Sequence, residues 1–213
     1  MLKLVPEQLR SILFLGAHAD DIEIGCGGAG LKLMAEHPGL RVHWVVLGAA
    51  GRRAEEAAQS ARRILGGAAT QDIIVKGFRD SYFPYLGGEV KEYMEELRNQ
   101  VDPDLIFTHR RDDLHQDHRL VAELTWCAFR NHLILEYEVP KYDGDMGQPN
   151  VYVPLDAAQC RRKIDAIIQG FPSQHSKPWF TEDTYWALLR LRGVECHSPT
   201  NFAEAFFARK IIL

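Results

Sequence analysis

Short apolar runs alternate with helix-forming stretches through the first two-thirds of the chain, and this alternation limits the fold more than any other feature. Ile12–Ala17 (ILFLGA) reads as a buried strand. Gly25–Glu36 reads as a helix opened by glycines and stopped at His37-Pro38-Gly39. Arg41–Leu47 is a β-branched second strand, and Arg53–Leu65, rich in Ala, Glu and Arg, is a helix closed by Gly66-Gly67. Asp72–Val75, the helix Val90–Val101 broken by Asp102-Pro103, and Asp104–Thr108 continue the series. Five alternations over about 130 residues predict an α/β fold, with a mostly parallel sheet covered by helices on both faces.

The remainder is looser. Phe78–Gly88 and Lys141–Asn150 read as ordered loops, Leu133–Val139 and Val151–Pro154 as short strands, Asp156–Gln169 and Thr181–Arg192 as helices, and Glu204–Leu213 as a last strand. At 213 residues, with no repeat, low-complexity segment or linker, residues 1–213 fit one domain. A net charge of −4 with no Lys/Arg block gives no footprint for a nucleic acid. The cysteines at 26, 127, 160 and 196 form no C-x-x-C pair, so neither a disulfide framework nor a thiolate zinc site is expected. No signal-peptide pattern and no apolar run of membrane length stand out, which predicts a cytoplasmic protein without a transmembrane segment.

Two polar clusters follow strands. The first, His18-Ala19-Asp20-Asp21, comes directly after Ile12–Ala17; the second, Thr108 to His118 (THRRDDLHQDH), comes after the fourth strand. His115 and His118 are three apart, so a helical turn puts them on one face. If the first and fourth strands are neighbours, both clusters meet at the switch point of the sheet, where ligands of open α/β folds bind. Two imidazoles and a carboxylate around an open position make a catalytic zinc pattern. A carboxylate beside the metal but not on it can take a proton from water, and Asp20 suits that role. Each cluster alone has a plainer reading: a surface strand-end His, an Asp-Asp turn or helix cap, a polar helix start. Their shared place at the ends of βα units favours the metal site. His37, His43, His109, His132, His175 and His197 read as structural, with His109 the least secure because of its position.

Two other functions compete. Gly25-x-Gly27-x-x-Gly30 is a literal match to a dinucleotide fingerprint and would make the chain a nucleotide-binding oxidoreductase. Ala17–Ile24 separates it from its strand, however, and the expected acid about 20 residues on is replaced by Ala49-Ala50-Gly51. Arg52 and Arg53 could serve only a phosphorylated cofactor. A catalytically silent, metal-containing sugar-binding module would need neither Asp20 nor His115. No G-x-S-x-G elbow is present, and Cys26, expected at the glycine turn, reads as packing.

AHADD-x-E-x-GCGG together with D-D-L-H-Q-D-H resembles the PIG-L/LmbE-like family of zinc-dependent N-acetylglucosaminyl deacetylases, whose usual signatures are A-H-P-D-D-E and H-x-D-H. The similarity continues in Arg53-Ala-Glu-Glu-Ala with Leu65-Gly66, in Lys163, in Ser173-Gln174 and in Ala203-Glu-Ala-Phe206, nearly the whole chain. The resemblance implies a Rossmann-like three-layer sandwich and Zn2+ (or Fe2+, Mn2+ or Co2+) held by His18, Asp21 and His118. It implies Asp20 as general base for the zinc-bound water, and His115 as proton donor to the leaving amine or stabiliser of the oxyanion. Asp117 would orient His115, although residues two apart do not face each other on a regular helix. Arg53 would bind polar or anionic substrate groups. The implied partner is a small N-acetylated sugar or sugar conjugate, with a homo-oligomer left open. Ala19 replaces the motif proline, which ligates nothing. The 76–90 and 140–150 loops, which would choose among free, lipid-, thiol- and nucleotide-linked sugars, carry no readable code.

Overall fold

A computed structural model of the chain describes residues 9–66 and 68–211. The strands are β1 (Ser11–His18), β2 (Arg41–Gly48), β3 (Thr70–Val75), β4 (Leu105–His109), β5 (Leu133–Tyr137), β6 (Val151–Leu155) and β7 (Phe202–Ala208). The helices are α1 (Asp21–Glu36), α2 (Arg52–Leu65), α3 (Gly87–Gln100), α4 (Gln116–Ala128), α5 (Ala157–Gly170) and α6 (Glu182–Glu195). All seven strands join one sheet in the order β3-β2-β1-β4-β5-β7-β6. β1 to β5 are parallel, while β7 is antiparallel to both β5 and β6.

The continuous hydrophobicity of β1 follows from burial on both faces. Ile12 and Phe14 enter a core shared with α1, α2, α5 and α6, whereas Leu13, Leu15 and Ala17 enter a second core with α3 and α4. The expected three layers are thus present. β1 pairs with β2 on one side (Ile12↔Val42) and with β4 on the other (Ile12↔Leu105). The direction of winding reverses between β1 and β4, and the crevice at their carboxyl ends is where the two polar clusters emerge.

One expectation fails. The glycines do not open α1: the helix begins at Asp21, and Gly25, Gly27 and Gly30 lie inside it. Interior glycine weakens a helix by about 0.5–1 kcal/mol relative to alanine, so packing must offset it. A Cβ at Gly25 would sit 2.1 Å from the Tyr137 ring, and one at Gly28 would sit 2.4 Å from Leu155. The glycines let α1 lie close against β5 and β6, and no pyrophosphate cradle remains for the oxidoreductase alternative. Cys26 is likewise mid-helix, its Sγ donating to Ile22 O at 3.3 Å, and burial pushes its thiol well above the ordinary range.

A buried ion pair is spliced into the same helix. Lys163 Nζ donates to Ile24 O at 2.6 Å and lies 2.5 Å from Glu204 Oε1, while the Glu204 carboxylate accepts from Gly28 N (2.8 Å) and Ala29 N (2.6 Å). Other differences are small. A 3-10 turn (Phe83–Leu86) occupies part of the loop expected over Phe78–Gly88, and β7 both starts and ends earlier than expected, residues 209–211 lying outside it. The end of that expected strand, residues 212 and 213, and Gly67 fall outside the described residues. Among the described residues, no helix is long and apolar enough to cross a membrane.

Candidate metal centre and active site

His18 is the last residue of β1 and His109 the last of β4, so the parallel pairing of these strands brings both to one edge. Only Ala19 and Asp20 separate β1 from α1, and the buried Ala19 methyl joins the core in place of a proline ring. Asp21 opens α1, and its Oδ2 accepts from His18 N at 2.6 Å. Asp20 occupies the N-cap position but makes no side-chain cap bond. Its Oδ1 instead accepts from Arg53 Nη2 at 2.7 Å. Arg53 is thus turned toward Asp20, with Nη1 3.4 Å from Ser173 Oγ.

His115 caps α4: its Nδ1 accepts from Asp117 N at 3.2 Å. That bond uses the Nδ1 lone pair and leaves Nε2 to carry the proton of the neutral ring. Burial, then the charges of His118 and His18, pull its pKa below the ordinary value. One turn on, His118 faces His18 across the crevice.

Three donor atoms converge. His18 Nδ1 lies 3.2 Å from His118 Nε2 and 3.3 Å from Asp21 Oδ2, and His118 Nε2 lies 3.4 Å from the same oxygen. Ligands at about 2.0–2.2 Å around a tetrahedral zinc are about 3.3–3.6 Å apart, so this triangle has the size of one face of such a site. The far nitrogens fix the tautomers. His18 Nε2 faces Asp117 Oδ2 at 3.1 Å, and His118 Nδ1 faces Asp113 Oδ2 at 3.0 Å. With those protons given to carboxylates, the lone pairs of His18 Nδ1 and His118 Nε2 point at each other and at Asp21. Such a grouping could hold a cation.

The charges agree. Burial works against a protonated His18, yet the charge of Asp21 and the hydrogen bonds of Asp117, Asp21 and Asp80 hold its pKa well above the ordinary value, so a proton stands where a cation would. Burial opposes ionisation of Asp21, but His118, His109 and His18 keep it well below the carboxylate range. Asp113, although buried, is held down by His118, His109 and Lys141, whose Nζ is 3.0 Å away.

Three further donor sets overlap this one: His18 with His115 and His118, Asp21 with His109 and His118, and His18 with Asp80 and Asp117. His109 Nε2 is 3.1 Å from Asp21 Oδ2, but it already accepts from Ala17 N at 2.9 Å, which commits its lone pair to the backbone. Burial, then the charge of His118, pushes His109 down to about 4, a neutral ring stacked on His118 at 3.8 Å between centroids.

Asp117 is at the centre but not on His115. Its Oδ2 takes Ser81 N at 2.7 Å as well as facing His18, and its Oδ1 takes Phe83 N at 3.1 Å. The contact between residues 115 and 117 runs through the Asp117 backbone amide instead, because the two side chains diverge at the helix start. Asp113, Asp80 and Lys141 were not singled out from the sequence. Asp113 stands in the same acidic run, but only the fold shows that it, rather than Asp112, meets His118.

Residues 13–129 match the family model described as PIG-L, GlcNAc-PI de-N-acetylase, more than half of the chain. The chain belongs to the PIG-L family. His18, Asp20, Asp21, Arg53, His115, Asp117 and His118 all fall inside the matched segment. The PIG-L chain is 32% identical over 143 residues to the uncharacterized deacetylase YaiS of Escherichia coli K12, covering 62% of this chain and 75% of YaiS. Its fold is similar to that of N,N'-diacetylchitobiose deacetylase from Pyrococcus horikoshii (TM-score 0.71, 21% identity, 95% of this chain and 85% of that one). It is also similar to the conserved protein TT1542 from Thermus thermophilus (TM-score 0.72, 22% identity, 97% of each). GalB, the 4-carboxy-2-hydroxymuconate hydratase of Pseudomonas putida KT2440, shares the fold as well (TM-score 0.75, 19% identity, 96% and 98%). A deacetylase and a hydratase on one fold leave the choice of chemistry to the site.

Proposed function

We propose that this PIG-L protein is a metal-dependent amidohydrolase that removes the acetyl group of an N-acetylated amino sugar or sugar conjugate, releasing the amine and acetate. The observation that carries this reading is the triangle of His18 Nδ1, His118 Nε2 and Asp21 Oδ2, with the uncapped Asp20 carboxylate next to it in sequence. The family description, which concerns removal of N-acetyl from GlcNAc-PI, supports the same reaction class.

His18, Asp21 and His118 would hold the metal, with Asp117 and Asp113 fixing the two rings from behind. Zn2+, or Fe2+, Mn2+ or Co2+ in its stead, supplies Lewis acidity when bound, polarising a carbonyl and lowering the pKa of water. Asp20, kept from capping its own helix and aimed by Arg53, is the base that takes the proton as water adds to the amide carbon. The Nε2–H of His115 serves as a hydrogen-bond donor to the developing oxyanion, while the proton that Asp20 took from water passes to the nitrogen of the departing amine. Arg53, expected to bind substrate, is assigned to Asp20 here. GalB shares the fold, but nothing in the site favours hydration over amide hydrolysis.

The experiment is metal analysis of the purified protein coupled to acetate release from free, lipid-linked and nucleotide-linked N-acetylglucosamine. Bound metal with acetate from at least one of them supports the reading. Metal without acetate from any of them favours the catalytically silent sugar-binding module.

A further inference from the structure

The rim of the crevice has a feature that hydrolysis of an acetamide does not use. Among the described residues, eight large hydrophobic side chains are exposed, and five of them (Tyr82, Tyr85, Leu114, Tyr142 and Met146) lie on segments that follow β3, β4 and β5. Their positions are tied to the site. Tyr82 stands between Ser81 and Phe83, whose amides both bond Asp117. Leu114 stands between Asp113, the partner of His118, and His115. Tyr142 follows Lys141, which bonds Asp113 at 3.0 Å, and Met146 follows Asp145, which takes Leu114 N at 2.7 Å. Tyr85 packs on Tyr82 at 5.9 Å between ring centroids. The segments that bring the buried polar groups to the metal centre therefore also carry these exposed apolar side chains, at the carboxyl end of the sheet.

Exposed apolar groups on the segments that follow the strands, at the end where α/β sheets bind ligands, suit a binding surface. The shapes here favour a planar occupant. Three of the five are tyrosines, flat and with few rotatable bonds, and such rings bind planar groups at low entropic cost. The Arg79 guanidinium lies 3.6 Å from the centre of the Tyr82 ring, backing one of these faces. Tyr142, 72% exposed, meets Trp179 edge-on at 6.4 Å, which steadies a second. An alkyl chain would be held by an enclosed channel, whereas open, rigid faces suit a ring.

We propose that the sugar deacetylated at this site carries an aromatic aglycone that stacks on the tyrosine rim; the inference rests on the amidohydrolase reading above. The test compares acetate release from 4-nitrophenyl, octyl and methyl glycosides of N-acetylglucosamine, in both anomers, by the metal-loaded wild-type protein and by Tyr82→Ala and Tyr142→Ala. The aryl glycoside should exceed the methyl glycoside in kcat/KM by about tenfold, mostly through KM, and the aryl-to-methyl ratio should fall about three- to tenfold in at least one variant. Equal kcat/KM for aryl and methyl glycosides, or a ratio unmoved by both substitutions, would overturn the aromatic aglycone and leave deacetylation standing. Preference for octyl over aryl would overturn it too, assigning the rim to a chain. No acetate from any glycoside would defeat the amidohydrolase reading itself.

Discussion

Arg53 Nη2 stands 2.7 Å from Asp20 Oδ1, joining the first turn of α2 to the residue that precedes α1. The Arg53 side chain is 26% exposed and that of Asp20 8%, so the pair is largely shielded from solvent. Arg53→Gln should lower kcat about 10- to 100-fold, because the base loses its aim, with bound metal retained. Asp20→Asn should bind metal as wild type does and lose nearly all turnover. Metal content and steady-state kinetics on the same preparations check both; full activity in Asp20→Asn would end its role as base.

Asp117 and Asp113 act through His18 and His118, and partners of this kind typically affect metal affinity by about 10–100-fold. Asp113→Asn and Asp117→Asn should each weaken metal binding within that range, read by competition with a chelator of known affinity. Asp117→Asn should also loosen the backbone at Ser81 and Phe83, seen as faster amide exchange there, since the carboxylate accepts from both.

The Lys163–Glu204 pair is almost wholly buried (side chains 3% and 2% exposed) and bonded into the backbone of α1. Breaking it from one side leaves a buried charge alone, so Lys163→Met or Glu204→Gln should destabilise the fold by about 3–5 kcal/mol in chemical denaturation. Replacing both residues with apolar side chains should lose less than the worse single variant.

Glu23, two residues beyond Asp21 on α1, offers a pH test. It is fully buried on α1, and burial, opposed in part by the Ser60 hydroxyl, pushes its carboxyl up to about 8 from an ordinary 4.5. Across that window the folded chain keeps a proton that the unfolded chain releases, so stability falls as pH rises. Glu23→Gln has no proton to lose. In the metal-free protein, its stability relative to wild type should therefore grow between pH 5 and pH 8 by on the order of 4 kcal/mol. Parallel stability curves for the two proteins would contradict this.

Much of this was legible because parallel strands advertise themselves. β1, β2, β4 and α2 lie within about two residues of their expected bounds, since burial on both faces makes such strands continuous apolar runs. The start of α1, at Asp21, is not legible for the opposite reason. Glycines signal a turn in isolation, and only Tyr137, Leu155 and Glu204, more than a hundred residues away, explain why they belong inside a helix. The site divides in the same way. His18, Asp21 and His118 could be named as candidates because they lie in polar clusters at strand ends whose motifs resemble the PIG-L/LmbE-like signatures. That Asp113 meets His118, that Asp117 meets His18 and not His115, and that Arg53 turns to Asp20 depend on how β1, β2 and β4 stand side by side. No spacing within one segment encodes that.

Acetate release should depend on a cation held by His18, Asp21 and His118. The direct measurement is acetate produced from an N-acetylated amino sugar turned over by the untreated protein, after stripping with a chelator and during stepwise return of Zn2+, alongside His118→Ala. The account predicts activity lost on stripping, restored in proportion to metal up to one equivalent per chain, and not restored in His118→Ala, which should bind metal far more weakly. Undiminished acetate release from stripped protein, or full restoration in His118→Ala, would contradict it.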